Sequence, residues 1–178
     1  MLSLVPIDIV TIDDLKNQWV KQLDNIGDDS DLTTYLASQY MHLIDWHVKL
    51  CDDDSCKDVY IYKAEDGRLR AIAEILDSSR SKDPSVKLLD IHIEPDLNSQ
   101  FPDQLDFKFM MDLAEVFGAV LALASRMAFD NGTNKLKIYG RTEQMQSLFG
   151  ALVSQADEFD FNMYLQGKWL IMETGEGK

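Results

Sequence analysis

Val86-Lys87-Leu88-Leu89-Asp90-Ile91-His92-Ile93-Glu94 is the stretch that decides the fold. Its alternation predicts a strand with Leu88, Asp90, His92 and Glu94 on one face and Lys87, Leu89, Ile91 and Ile93 on the other. A strand covered on both faces is normally apolar on both, so the polar row of Asp90, His92 and Glu94 suggests a cleft, while the plainer reading is that the row faces solvent or forms buried hydrogen bonds. Further on, Phe109, Met110, Leu113, Phe117, Val120, Leu121, Ala124 and Met127 cover most of a helix over residues 107–129, which reads as a buried element. Asn131-Gly132 supplies its stop signal, and residues 136–139 read as the next strand. A strand–helix–strand crossover makes the two strands parallel.

Outward from this unit the period changes twice. Residues 59–62 and 69–76 are strands joined through Glu65-Asp66-Gly67-Arg68, where Asp-Gly is a hairpin signal. A polar loop over 77–84 then leads into 86–94. Residues 2–10 suggest a short first strand. Thr11 is expected to cap a helix carrying Leu15, Trp19, Leu23 and Ile26, with Asp13 and Asp14 in its first turn. After a loop at 27–30, a second helix presents Leu32, Tyr35, Leu36, Gln39, Leu43, Trp46, His47 and Leu50. On the C-terminal side, Thr142 caps a helix with a stripe of Met145, Leu148, Phe149, Leu152 and Val153. Residues 161–165 and 168–172 close the chain as a hairpin across Gln166-Gly167. The order is β-α-α-β-β-β-α-β-α-β-β, an α/β chain whose central mixed sheet is flanked by helices. We expect a single domain over 1–178, with a helical part at 1–58, a sheet core at 59–172 and a loose tail at 173–178.

Composition limits the function classes. At 178 residues and 46% hydrophobic content the chain can bury a core without metal or disulfide support. A net charge of −14 repels phosphate, so direct binding to a nucleic-acid backbone is disfavoured and a protein partner is favoured. Much of that charge serves as a solubilising surface. The two cysteines, Cys51 and Cys56, do not make a secreted disulfide framework. The first residues lack a basic n-region and a long apolar core, and no apolar run reaches the ~18 residues of a bilayer span. A cytoplasmic location is expected, with no membrane partner.

The sequence carries no standard metal or nucleotide motif. His47 and Cys51 share a helical spacing near His42, Asp45 and Cys56, without a Cys-x-x-Cys or matched His pair of a zinc site. Asp52-Asp53-Asp54 lacks the glycine and terminal glutamate of a calcium loop. A serine elbow, a phosphate-binding loop and a dinucleotide glycine motif are absent. Met110, Met111 and Met127 fit core filling, and Trp169 beside Lys168 fits ordinary packing, with an edge-strand anchor for a partner as the alternative.

From residue 59 to 172 the element order resembles the GCN5-related N-acetyltransferase (GNAT) superfamily, with 86–94 in place of the central strand and 108–129 as the helix on the cofactor side. The resemblance implies a general base near the end of that strand, for which Glu94 is the best candidate and His92 the second. It also implies a tyrosine acid near the end of the fold, for which Tyr139 and Tyr164 are available. The family's Gln/Arg-x-x-Gly-x-Gly/Ala loop, whose N–H groups hold the acetyl-CoA diphosphate at a helix N-terminus, has no counterpart here. Residues 95–106 contain no glycine, no basic residue, two prolines and three aspartates. A carboxylate brought to ~4 Å from a phosphate costs about 1 kcal/mol in water and several at a partly buried surface. A weaker likeness links Lys137-Ile138-Tyr139-Gly140-Arg141-Thr142, Phe149-Gly150-Ala151 and residues 161–172 to acetyltransferase-like proteins of short-tailed phages, including the internal virion protein A group.

These features lead to a catalytically degenerate GNAT-like protein, acting as a binding or assembly component without a cofactor and virion-associated if phage-encoded. The first alternative is an active N-acyltransferase using acetyl-CoA at an atypical donor site. The second is an acidic DNA mimic that captures a host enzyme. That mimic requires Asp52–Asp54, Asp96, Asp103, Asp106, Asp157, Glu158 and Asp160 to form one continuous surface.

Overall fold

The computed structural model describes residues 3–6, 8–26, 31–52, 58–98, 107–154 and 161–174. Their elements run β1 (Ser3–Pro6), α1 (Ile9–Ile26), α2 (Asp31–Asp52), β2 (Val59–Lys63), β3 (Leu69–Asp77), β4 (Val86–Ile93), α3 (Pro95–Asn98), α4 (Phe107–Asp130), β5 (Lys135–Tyr139), α5 (Glu143–Ser154), β6 (Phe161–Gln166) and β7 (Trp169–Thr174). Among the described residues, seven strands form a sheet in the order β1-β2-β3-β4-β5-β7-β6. β4 and β5 pair in parallel, with Val86 opposite Leu136 and Leu88 opposite Ile138. The expected crossover is therefore present, and the β1–β2, β5–β7 and β6–β7 pairs are antiparallel. By contact density the chain divides into two compact units, Met1–Ala73 with His92–Val120 and Glu74–Ile91 with Leu121–Lys178.

In the first unit, α1 and α2 bury Ile12, Leu15, Trp19, Leu23, Tyr40 and Ile44 against β2 and β3 residues such as Ile61 and Ile72. Trp19 and Tyr40 meet edge to face at 5.3 Å between ring centroids, an arrangement favoured by the ring quadrupoles. The polar ends of both rings are used as well. Trp19 Nε1 donates to the Leu69 carbonyl at 2.7 Å and Tyr40 Oη donates to the Ile93 carbonyl at 2.6 Å. The β2–β3 turn is the Asp-Gly hairpin anticipated from sequence. Gly67 there adopts φ 86°, a conformation open to glycine and costly for side chains with a Cβ.

Two expectations for the first unit need correction. The cap of α1 is Asp8, not Thr11. Asp8 Oδ1 accepts the Thr11 N–H at 2.7 Å while Thr11 Oγ1 accepts the Asp8 N–H at 2.8 Å. This reciprocal box starts the helix three residues earlier than a Thr11 cap would, and the hydrogen bonds from Thr11 hold the Asp8 carboxyl below its ordinary range. Among the described side chains of α2, Tyr40, Ile44 and His47 are buried, whereas Gln39 and Trp46 are exposed. Of the stripe read from sequence, His47 is buried and Leu43 packs partly buried against the core, while Gln39 and Trp46 fall outside it and Leu32, Tyr35, Leu36 and Leu50 lie outside the described side chains.

In the second unit, α4 ends as expected. The Gly132 N–H bonds to the Phe129 carbonyl and the Thr133 N–H to the Ala128 carbonyl, with Gly132 at φ 69°. Of α4, the first unit holds buried Val116, Ala119 and Val120 with exposed Met111 and Gly118, and the second holds buried Ala124 and Ala128 with exposed Ala122 and Phe129. Among its described side chains the helix is amphipathic, not buried all round. Thr142 caps α5, accepting the Met145 N–H at 3.2 Å. The closing turn is Gly167-Lys168, one residue later than Gln166-Gly167, with Gly167 at φ 62°. Trp169 is not on an edge strand. β7 lies between β5 and β6, and Trp169 packs on Tyr139 at 4.9 Å.

Candidate functional site

The sequence placed its chemistry at the end of β4, and the first unit builds a polar network there. β3 is apolar from Leu69 to Leu76 apart from Arg70 and Glu74. The backbone pair that carries the Glu94 N–H to the Arg70 carbonyl, at 2.9 Å, sets these two residues side by side. Arg70 Nε then donates to Glu94 Oε1 at 2.7 Å. Gln22, projecting from α1, donates through Nε2 to Glu94 Oε2 at 2.8 Å. Both carboxylate oxygens of Glu94 are thus engaged, and Glu94 is 1% and Arg70 2% exposed. A charge so far from water persists only when paired and hydrogen-bonded.

The network continues on both sides. Arg70 Nη1 lies 3.4 Å from Glu115 Oε1 on α4, and the Tyr62 hydroxyl is 3.4 Å from the same oxygen. Burial, and next the Glu115 charge, raise the Tyr62 phenol above its ordinary range. Beside it, Arg68 and Asp66 pair at 2.6 Å; the Arg68 backbone N–H and then its guanidinium lower the Asp66 carboxyl, and the Asp66 bond raises the Arg68 guanidinium. Asp66, Arg68, Arg70 and Glu115 line an open depression of about 490 Å³ with Glu65 and Asp112. On the other side, Gln22 Oε1 accepts the Asp96 N–H at 3.2 Å. One glutamine therefore ties the Glu94 carboxylate to the first available N–H after β4.

The segment that would cradle a diphosphate in a GNAT enzyme begins here. Pro95 has no N–H, the Asp96 N–H is already satisfied by Gln22, and Asp96 adds a negative charge. The described part of the segment, residues 95–98, does not fit coenzyme A held in that way. Residues 99–106 lie outside the described residues.

Of the other candidates, His92 lies on β4 and is partly exposed. Tyr164 belongs to β6 in the second unit, where its hydroxyl donates to Glu173 Oε1 at 3.1 Å and burial followed by this bond raises its phenol. Tyr139, on β5, is engaged with Trp169. Glu173 also binds Lys135 Nζ at 2.9 Å, and Lys135 and Lys137 both pair with Asp83. Hydrogen bonds from Lys137 and Lys135 hold Asp83 low, and the Lys135 bond does the same for Glu173. Asp90, the first member of the polar row, forms an ion pair with Arg141 at 2.6 Å just beyond the last parallel pair, Leu88 with Ile138.

Sequence reasoning missed Arg70, Gln22 and Arg141. A signal existed for Arg70: a lone cation inside an apolar strand, in hairpin register with a strand that ends in glutamate. None existed for Gln22, one polar residue among several on α1.

His47 is buried with Nδ1 2.8 Å from the Leu43 carbonyl, and Cys51 and Cys56 lie outside the described side chains. Among the described residues, no group of three or more His, Cys, Asp or Glu side chains is placed to hold a metal ion. No helix among them is long and apolar enough to cross a membrane.

A meander that runs into a parallel β4–β5 crossover and ends with β7 inserted beside β5 is a GNAT-like fold. Solved structures with similarity include a GNAT-family acetyltransferase from Listeria monocytogenes 4b F2365, 12% identical, covering 97% of this chain and 92% of that one with a TM-score of 0.42. A second is the PaiA N-acetyltransferase of Thermoplasma acidophilum in complex with coenzyme A, 13% identical over 98% of each chain with a TM-score of 0.40. A third is AtaTR bound with acetyl-CoA, 14% identical over 98% of this chain and 92% of that one with a TM-score of 0.45. At such identities and TM-scores they assign neither membership nor activity. No family model and no curated protein matches the chain.

Proposed function

We propose that this chain is a catalytically degenerate GNAT-like domain that serves as a binding or assembly component. The observation that carries this is the state of Glu94: 1% exposed, with Arg70 on one oxygen and Gln22 on the other. A general base must come within hydrogen-bond reach of the proton it removes. This carboxylate is already committed on both oxygens, and opening it to an amine would strand Arg70 in a buried position. The Gln22 link to the Asp96 N–H supports the same reading at the start of the donor segment. The likeness of residues 137–151 and 161–172 to acetyltransferase-like proteins of short-tailed phages favours a phage-encoded, virion-associated setting. Mass spectrometry of purified virions against infected-cell extract tests that setting, and absence from the particles contradicts it.

Isothermal titration calorimetry with acetyl-CoA tests the main reading. The expected result is no binding in the micromolar range or tighter. Micromolar binding, together with acyl transfer to an amine panel that falls on Glu94→Gln or His92→Ala with folding unchanged, would establish the acyltransferase instead.

A further inference from the structure

β6 is the terminal strand of the sheet order, and its backbone polarity follows from its neighbours. The Gly140 N–H donates to the Lys168 carbonyl at 2.8 Å. Lys168, and by alternation Leu170 and Met172, therefore turn their backbone groups toward β5. Trp169, Ile171 and Glu173 turn theirs toward β6, where the register sets them opposite Gln166, Tyr164 and Asn162. The N–H and C=O groups of Met163 and Leu165 then point away from β7, along a rim with which no described strand pairs.

Such rims are usually blunted by charge, proline or a bulge. The opposite end of the sheet obeys this, since β1 has four residues and ends in Pro6. β6 does not. Its six residues, Phe-Asn-Met-Tyr-Leu-Gln, contain no charge, proline or glycine. It pairs with β7 residue for residue without a bulge, and it exposes Tyr164 at 41% and Leu165 at 44%.

We infer that the outer rim of β6 is a docking edge for an extended segment of a basic protein. The segment adds as a further strand on the Met163 and Leu165 backbone groups and covers Tyr164 and Leu165. The net charge of −14 selects the occupant, because it draws in a cationic chain and repels a second copy of this one. β6 itself is uncharged, so an incoming strand desolvates no ion there. The inference rests on the binding-component reading and names its surface.

The probe is a synthetic peptide of alternating threonine and valine flanked by lysine pairs, titrated into the ¹⁵N-labelled full chain. The expected result is saturable binding with slowed amide exchange at Met163 and Leu165 but not at Tyr164, whose N–H already faces β7. N-methylation of alternate peptide amides on the sheet-facing side removes the donors and weakens binding at least about tenfold. Leu165→Pro deletes an outward N–H, and Leu165→Lys keeps the backbone while adding an edge charge. Each weakens binding to a similar degree, and an unchanged melting curve for Leu165→Lys shows that the fold survives. Absence of peptide binding, or binding indifferent to N-methylation, overturns the inference. So does sedimentation of the chain alone as a dimer that Leu165→Lys disperses, which would assign the edge to a second copy. Acetyl-CoA titrated into the same sample separates the two readings. Its binding alongside the peptide sinks the degenerate-site reading and leaves the edge, whereas a sample that takes neither ligand sinks the edge alone.

Discussion

Arg70 sits between Glu94 and Glu115, 2.7 Å from one carboxylate and 3.4 Å from the other. Removing one partner of a buried pair strands the other. Arg70→Met is therefore expected to lower the unfolding free energy by about 3–5 kcal/mol. The double variant Arg70→Met with Glu94→Met, which removes both charges, should recover most of that loss. Urea denaturation of both variants checks the pair, and equal destabilisation would show that Arg70 acts by packing alone. Partly exposed charges behave differently. Asp83 and Glu173 lie below their ordinary 3.8 and 4.5 in the folded chain because lysines hold their ionised forms. Their contribution is complete above about pH 5 and disappears as pH falls through the folded pKa values. Glu173→Gln should therefore flatten the loss of melting temperature between about pH 5 and pH 3 relative to the parent chain. At this scale the sequence revealed the polar row but not its partners. Asp90 and Glu94 stood out as charges on a strand meant to be apolar, while Arg141, Gln22 and Arg70 are joined to them only by register and helix packing.

The turn from β5 into α5 depends on Gly140. A Cβ there would lie 2.9 Å from the Phe149 ring, 3.0 Å from Gln146 Cγ and 3.2 Å from the Lys168 carbonyl oxygen. The last neighbour is backbone and cannot swing aside. Gly140→Ala is expected to destabilise by about 1–3 kcal/mol, measured by thermal or urea unfolding, and an unchanged midpoint would mean that the α5 corner yields. Elements of this kind were legible in outline. Alternation gave β2 to β4, the Asp66-Gly67 and Asn131-Gly132 signals gave a hairpin and a helix end, and Thr142 gave a cap. Errors arose where two residues compete for one role. Asp8 takes the α1 cap because its carboxylate reaches the Thr11 N–H, while Thr11 supplies the returning bond. Spacing puts Trp46 on the packed face of α2, yet it faces solvent one position away from buried His47.

For the whole molecule, a mixed sheet with a parallel crossover pair could be inferred because a meander followed by a crossover admits few arrangements. The insertion of β7 between β5 and β6 could not, since adjacent hairpin strands pair equally well with either strand next to β5. That insertion moves Trp169 inward and makes β6 the terminal strand. The proposed binding role draws on an acidic chain, an unblunted β6 edge among the described strands and a Glu94 carboxylate held in an ion pair. The most direct test follows the Asp96 amide and the Gln22 side-chain amide in ¹⁵N-labelled protein during titration with acetyl-CoA. We expect both resonances to stay in place, because Gln22 Oε1 already occupies that N–H. Saturable shifts of the two together, with release of the Gln22–Glu94 bond, would contradict the account.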